Sequence, residues 1–278
     1  MIKNAIEAGL ESALLLATSP LTSSKYSNPE IELARAVLPA SSGFKIENNI
    51  YKFTFPCNGQ ILFFELRRNQ SDIAVFLQVM IQQQYKSVMQ LIKTSPDNQP
   101  RIIDAGSNIG MAALFFKSAI PAADLICMEP NEESMNATRN HLLLNNFTDI
   151  KMSGKALWTN AEILKPQPFR DNRSWSFSLS SGDKSSAVSY TGITLSEIIR
   201  DNGWNHLDLL KMDIEGAEGP LFRDSEFLKT ISEKVKLMAV EVHEEVLNRD
   251  EAMEILVHQN FRCFYQGELL FAINSRLH

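Results

Sequence analysis

Arg101-Ile-Ile-Asp-Ala-Gly-Ser-Asn-Ile-Gly-Met-Ala-Ala-Leu-Phe-Phe116 is the stretch from which the rest of the chain can be read. Arg101 to Ala105 is a short, mostly apolar run with a carboxylate near its end, the pattern of a buried strand. Gly106 and Gly110 bracket a tight turn, and Ile109 to Phe116 reads as the helix that follows. A strand, a glycine turn and a helix start make a site for a nucleotide-like ligand. The turn lets backbone approach closely, and the first helical N–H groups have no partner within the helix. A dinucleotide matches poorly, because its fingerprint is G-x-G-x-x-G, whereas Asp104 and Ala105 precede Gly106 here and the next glycine is Gly110. Asp104 would repel a pyrophosphate but suits a cationic amino-acid group, held directly or through water. S-adenosylmethionine carries such an ammonium and no phosphate. The bland alternative for the same residues is an ordinary turn between a strand and a helix.

A second landmark follows. Ala123 to Met128 is another apolar strand, closed by Glu129-Pro130-Asn131. An acid at the next strand end, roughly 20 residues after the glycines, is where ribose hydroxyls are usually held, and Glu129 fits that role. The helix after it, about 132 to 145, ends at Asn145-Asn146.

At 278 residues the chain is long enough for a substantial core, and 44% hydrophobic with 22% charged residues describes an ordinary globular protein. Net charge is −6 with no Lys/Arg block, which disfavours nucleic-acid partners and a polybasic membrane patch. Cys57, Cys127 and Cys263 are scattered without a C-x-x-C pair, so a reducing compartment is expected. Met1 to Ala17 reads as a short amphipathic helix interrupted by Glu7 and Glu11, neither a signal peptide nor a membrane span. A cytoplasmic, soluble protein is the expectation.

Residues 19 to 42 read as a surface-wrapped segment, and 44 to 67 as paired strands turning at Pro56-Cys57-Asn58-Gly59. A helix capped by Ser71 or Asp72 is expected from Ile73 to about Ile92. Residues 95 to 100 then punctuate the chain, which divides it into a cap region, 1–95, and an α/β domain, 96–278. Asp149 to Trp158 reads as a third strand, with Ala156 placed to touch a bound base. The polar stretch 160 to 187, with Trp175 and Phe177 interleaved, is either a functional loop or a surface excursion. Thr194 caps a short helix through Arg200 that stops at Asn202-Gly203.

Leu207 to Asp213 is an apolar strand ending in acids beside Gly216, and Val235 to Val242 is another, whose alternation puts Glu241 and His243 on one face. Asp250 or Glu251 opens a helix to Gln259, and Phe261–Tyr265 with Leu269–Ile273 makes a closing hairpin. Strands alternating with helices argue an α/β, doubly wound, mostly parallel sheet with an antiparallel C-terminal hairpin and a smaller N-terminal α+β cap. Ligands of such sheets bind at the carboxyl ends of the strands, where Asp104, Glu129, Asp213 and Glu241/His243 gather.

These motifs resemble the FkbM-like family of S-adenosylmethionine-dependent methyltransferases. The resemblance rests on Ile103-Asp-Ala-Gly-Ser-Asn-Ile-Gly110, Met128-Glu-Pro-Asn131, Val240-Glu-Val-His243 and, most specifically, Leu209-Leu-Lys-Met-Asp-Ile-Glu-Gly-Ala-Glu218. Leu66-Arg-Arg-Asn-Gln-Ser-Asp72 extends it into the cap, over roughly residues 45 to 275. It implies a seven-stranded Rossmann-like methyltransferase sheet with S-adenosyl-L-methionine as cofactor. By the same resemblance Asp104, Gly106, Asn108 and Gly110 would hold the amino-acid end of the cofactor and Glu129 its ribose. Asp213, Glu215, Glu241 and His243 would line the acceptor site. The implied reaction is O-methylation of a hydroxyl on a sugar, glycan or other natural product. One departure is Gly219-Pro220 after the long motif, which predicts a late helix start there.

Catalysis needs alignment and removal of the hydroxyl proton, with His243 or Asp213 as base and Glu241 able to orient the imidazole. A divalent cation on Asp213, Glu241 and His243 is the disfavoured alternative, so no metal is expected. Arg67, Arg68 and Asp72 either reach the acceptor or are surface charges. The competing classes are a binding protein that keeps the fold without turnover and, less favoured, a nicotinamide-dependent oxidoreductase. The oligomeric state and the acceptor's identity stay open.

Overall fold

Arg101–Ala105 (β4), Asp124–Met128 (β5), Lys151–Ser153 (β6), Leu207–Met212 (β11) and Val235–Glu241 (β12) are the apolar runs, and they pair in parallel. Their near-continuous hydrophobicity is what a sheet covered on both faces requires. Phe261–Gln266 (β13) and Leu269–Asn274 (β14) complete a seven-stranded sheet of order β13-β14-β12-β11-β4-β5-β6, in which β14 alone runs antiparallel to its neighbours. This computed structural model describes residues 29–41, 43–68, 70–92, 99–168, 177–182 and 188–277. The helix expected over 1–17, much of the segment 19–42, and Trp175 lie outside the described residues.

Helices cover both faces. On one lie Met111–Ala119 (α4) and the cap, and on the other Leu195–Asp201 (α6), Ser225–Lys234 (α8) and Arg249–His258 (α9). The cap consists of Pro29–Val37 (α1), an antiparallel sheet of Lys45–Glu47 (β1), Ile50–Cys57 (β2) and Gln60–Arg67 (β3), and helical pieces after it. Phe53, Phe64 and Phe76 of the cap share one apolar core with Ile102, Phe115 and Phe116 of the sheet layer. The described cap is therefore packed onto the α/β layer through a continuous interior. Polar ties add to it. His141 of helix Glu132–Leu144 (α5) meets the carbonyl of Ile109 through Nδ1 at 2.8 Å and accepts from the Glu65 N–H at 3.2 Å through Nε2. Asn145 grips both backbone groups of Phe63, at 2.8 and 2.9 Å.

Five local expectations are corrected. The single helix over 73–92 is broken: Gln70–Phe76 (α2) passes into a π-helical turn, Leu77–Ile81, then Gln83 takes a left-handed φ of 52° before Lys86–Met89 (α3). The break delivers Tyr85 into the core, where its ring meets Phe116 edge-on at 5.2 Å. Residues 149–158 form two strands, β6 in the large sheet and Ala156–Leu157 (β7), which joins Ile163–Pro168 (β8), Phe177–Ser181 (β9) and Tyr190–Ile193 (β10) in a second sheet of order β7-β10-β8-β9. The excursion 160–187 carries β8 and β9 of that sheet. Pro166 and Pro168 argue against a strand, yet β10 pairs only Ile163 and Leu164 of β8, so both prolines sit where the strand has one partner. Asn248, not Asp250 or Glu251, caps α9. The helix at Gly219-Pro220 is not late: Glu218–Leu221 (α7) takes Pro220 into its first turn. As expected, Thr194 closes a capping box with Glu197 at the start of α6.

Candidate active site

The β4–α4 turn hangs from the end of β5: the N–H groups of Gly106 and Ser107 donate to the Met128 carbonyl at 2.9 and 3.0 Å. Asn108 takes a left-handed φ of 48°, and its N–H then reaches Glu129 Oε2 at 2.9 Å. Glu129 Oε1 accepts from the Asn131 N–H at 2.8 Å, so one carboxylate joins the two motifs separated in sequence. Burial pushes the Glu129 carboxyl up to about 7, against the pull of those two N–H groups. From the far side, Thr138 of α5 donates to the Asn108 carbonyl at 2.6 Å.

Between these elements and the end of β11 lies a cleft of about 640 Å³, counting the solvent at its open mouth. Gly106, Asn108, Glu129 and Ala156, expected at the cofactor, line it together with Asp213 and Glu215, expected at the acceptor. Met128, Pro130, Leu157 and Leu179 supply apolar walls, the last from the excursion that sequence left unassigned. Glu241 and His243 are absent from the lining, and so are two of the expected cofactor residues. Gly110 caps α4 and leans on Thr138. Asp104 is fully buried and turned to Lys211, directly opposite on β11, with Nζ 3.0 Å from Oδ1. The side chain sits one residue back from the strand end, on the face covered by the cap, and does not line the cleft.

At the edge of the cleft, Asp213, Glu241 and His243 bring one ligand-type atom each within 4.8 Å of one another. The alternation along β12 accounts for the last two; the pairing of β11 with β12 brings in the first. His243 is 1% exposed, with Nδ1 3.1 Å from Glu218 Oε1 and Nε2 3.4 Å from Glu215 Oε2. Burial works against a charged imidazole here, but Glu218, Asp213 and Glu215 outweigh it and hold the pKa above its ordinary value. Glu241 is raised too, first by the charge of Asp213 and then by burial. Glu218, wholly buried, is the organiser sequence reasoning missed: its oxygens also accept from the N–H groups of Ile214 at 3.1 Å and Gly216 at 2.8 Å. These bonds hold the turn in which Glu215 takes a left-handed φ of 51° and extends to His243. A buried-range Glu closing the long motif was the available signal. The cap charges are engaged elsewhere: Arg67 with Asp72 and Glu133, Arg68 with Glu30 and Tyr51.

A parallel sheet with a glycine turn, an acid at the next strand end and a cleft over both defines a nucleoside-binding α/β protein. The chain belongs to the FkbM methyltransferases: the family profile described as "Methyltransferase FkbM domain" matches residues 104–263, and S-adenosylmethionine is the cofactor. It is 28% identical over 157 residues to the methyltransferase sdnD of Sordaria araneosa, an alignment covering 46% of this chain and 60% of that protein. The match thus spans about three fifths of the curated relative's length. Among solved structures, the N-terminal domain of human METTL16 is similar at 12% identity and a TM-score of 0.42, covering 71% of this chain and 68% of that one. A ribosomal protein L11 methylase from Lactobacillus delbrueckii subsp. bulgaricus is similar at 14% identity and a TM-score of 0.38, covering 70% and 80%.

The residues present suit that cofactor. Ser107 Oγ and Asn108 Oδ1 are buried atoms without a hydrogen-bond partner among the described residues, on the turn that faces the cleft. Unpaired oxygens beside Glu129, with apolar walls on the opposite side, match a ligand with a cationic amino-acid end, a ribose and a base. Among the described residues no helix is long and apolar enough to cross a membrane.

Proposed function

We propose that this chain O-methylates a hydroxyl of a small molecule or glycan. The observation that carries this reading is the close set of Asp213, Glu241 and His243 at the strand ends, joined to the cofactor cleft through Asp213. Bound S-adenosylmethionine supplies an electrophilic methyl group on a sulfonium. In this reading Glu129 takes the ribose hydroxyls, the turn 106–108 the amino-acid end, and Ala156, Leu157 and Leu179 the base; the support is that Gly106, Asn108, Glu129, Ala156, Leu157 and Leu179 line one cleft. Asp213 is the group we assign to receive the acceptor's proton: it lines the cleft and its side chain is 31% accessible. The raised His243 supports a different part for the imidazole, since a ring that already holds its proton at neutral pH is an orienting donor and not a base. Glu241, raised beside Asp213, is suited to donate to the acceptor oxygen.

Transfer of a labelled methyl group to a panel of hydroxylated, amine and thiol acceptors tests the reading. Label on oxygen alone is the expected result; label on nitrogen or sulfur alone would overturn it. Turnover is expected to survive EDTA, because both His243 nitrogens already face carboxylates. Loss of activity that Mg²⁺ restores would hand the acceptor site to a metal.

Cofactor binding is expected to depend on pH through Glu129. Its carboxyl, held near 7 when free, must be ionised to accept from ribose hydroxyls. The affinity for S-adenosylhomocysteine should therefore fall about tenfold from pH 8 to pH 6, as protonation competes with binding. The folded protein without ligand responds the other way. It binds this proton more tightly than the unfolded chain, so this group's contribution to stability declines as pH rises from about 4.5 to about 7. Calorimetric titration of wild type and Glu129→Gln at both pH values checks this; an equally steep fall in the variant would exclude Glu129 as its source.

A further inference from the structure

Lys211 lies in the middle of the sheet, 3% exposed, between apolar Leu210 and Met212 on its own strand and opposite Asp104 on β4. A lysine is seldom kept in such a place without a use for its charge. Its Nζ donates to the Gly106 carbonyl at 2.6 Å and the Ala105 carbonyl at 3.3 Å, and lies 3.0 Å from Asp104 Oδ1 and 3.9 Å from Asp213 Oδ2. The ammonium therefore bonds the last carbonyl of β4 and the first of the β4–α4 turn, forms an ion pair with Asp104, and reaches the end of its own strand. Lys211 thus links the turn that meets the cofactor to the acid assigned to the acceptor.

We propose that Lys211 is a positioning residue that holds the cofactor turn in its binding shape and sets the charge balance shared by the cofactor and acceptor halves of the site. The proposal rests on S-adenosylmethionine as cofactor, and it does not depend on the acceptor being a hydroxyl. The ionisable groups around Lys211 are Asp104 on β4, Cys127 on β5, Glu129 just after it, Asp213 just after β11, and Tyr85 from the cap. Burial works against its charge, but Asp104, Tyr85 and Asp213 outweigh it, so the ammonium stays protonated. Its field acts on Glu129, whose carboxyl it favours in the ionised form against burial and against Asp104. Tyr190 also faces Glu129. A positive charge beneath the turn thus makes the ribose-side carboxylate available at a lower pH than burial alone would allow.

The competing explanation is that Lys211 serves only to neutralise Asp104. Three proteins separate the two: wild type, Lys211→Met, and the double variant Asp104→Asn with Lys211→Met, which removes both charges together. Each is titrated with S-adenosylhomocysteine between pH 6 and 9 by calorimetry, beside its melting temperature. Lys211→Met leaves a buried carboxylate unpaired and is expected to melt earlier, while the double variant recovers most of that loss. In the double variant the affinity should nevertheless stay about tenfold or more below wild type, because the Ala105 and Gly106 carbonyls have lost their donor. The pH at which binding reaches half its maximum should also move upward. A double variant that binds with wild-type affinity and a wild-type pH profile would overturn the proposal and leave Lys211 as a neutralising partner. Failure of wild type itself to bind S-adenosylhomocysteine would overturn the cofactor reading instead, and this proposal with it. Acceptor specificity is not read in this experiment, so its outcome stands apart from that of the hydroxyl assignment.

Discussion

Gly106→Ala should abolish measurable binding of S-adenosylhomocysteine and lower the melting temperature. A Cβ at this position would stand 1.7 Å from the Asp213 carbonyl oxygen and 2.8 Å from its carbon, both backbone atoms of the neighbouring strand end. Neither can rotate away, so the turn must lift off β11. The φ of +75° adds a left-handed cost of roughly 1–2 kcal/mol for any residue with a Cβ. Forced separation of packed backbone adds about 1–3 kcal/mol more. Lifting the turn also draws the Gly106 carbonyl from Lys211 and moves Asn108 away from Glu129, so binding suffers beyond the loss of stability. Gly203→Ala provides the control: the same left-handed backbone at +66°, but nothing within 4 Å of the added carbon. It should lose a little stability and keep full affinity. Equal affinity losses in both variants would mean that general destabilisation, and not the contact with Asp213, is responsible.

Asp213→Asn should reduce turnover by about 10²- to 10⁴-fold, the range for loss of a positioned proton acceptor, while changing the affinity for S-adenosylhomocysteine only a few-fold. The amide keeps the shape of the side chain, and the Asp213 N–H still donates to the Ala105 carbonyl, so the strand end is preserved. The substitution also removes the charge that raises Glu241 and contributes to raising His243. A shift in the pH profile of the residual activity should therefore accompany the fall in rate. Single-turnover rates with saturating cofactor separate chemistry from binding. Near-normal turnover in Asp213→Asn, with loss in His243→Ala, would transfer the base to the imidazole.

The order of elements was legible because each signal is local. An apolar run of about five residues ending in a polar group, followed by a turn residue, depends on nothing far away. Hence β4, β5, β11, β12 and the closing hairpin were readable with small errors at their ends. The second sheet was not readable, because its strands are polar and two prolines interrupt the pattern of β8; their place is settled by what lies beside them. The helix expected over 73–92 failed for a similar reason. Its periodicity is that of a helix, and only the demand for Tyr85 against Phe116 explains the unwinding.

For the site, sequence by itself determined which polar residues stand at strand ends, and parity along β12 put Glu241 and His243 on one face. Gly106, Asn108, Glu129, Ala156 and Asp213 do line one cleft. What each acid does was decided by the tertiary structure, since ionisation and hydrogen bonding depend on neighbours from other strands. Asp104 looks like a ligand-binding acid until β11 places Lys211 opposite it. Nothing in the sequence around His243 shows that Glu218 and Glu215 stand at its two nitrogens. Residue spacing carries the period of a strand, but the field at a buried group is a sum over chain segments far apart in sequence. That sum exists only once the sheet has formed.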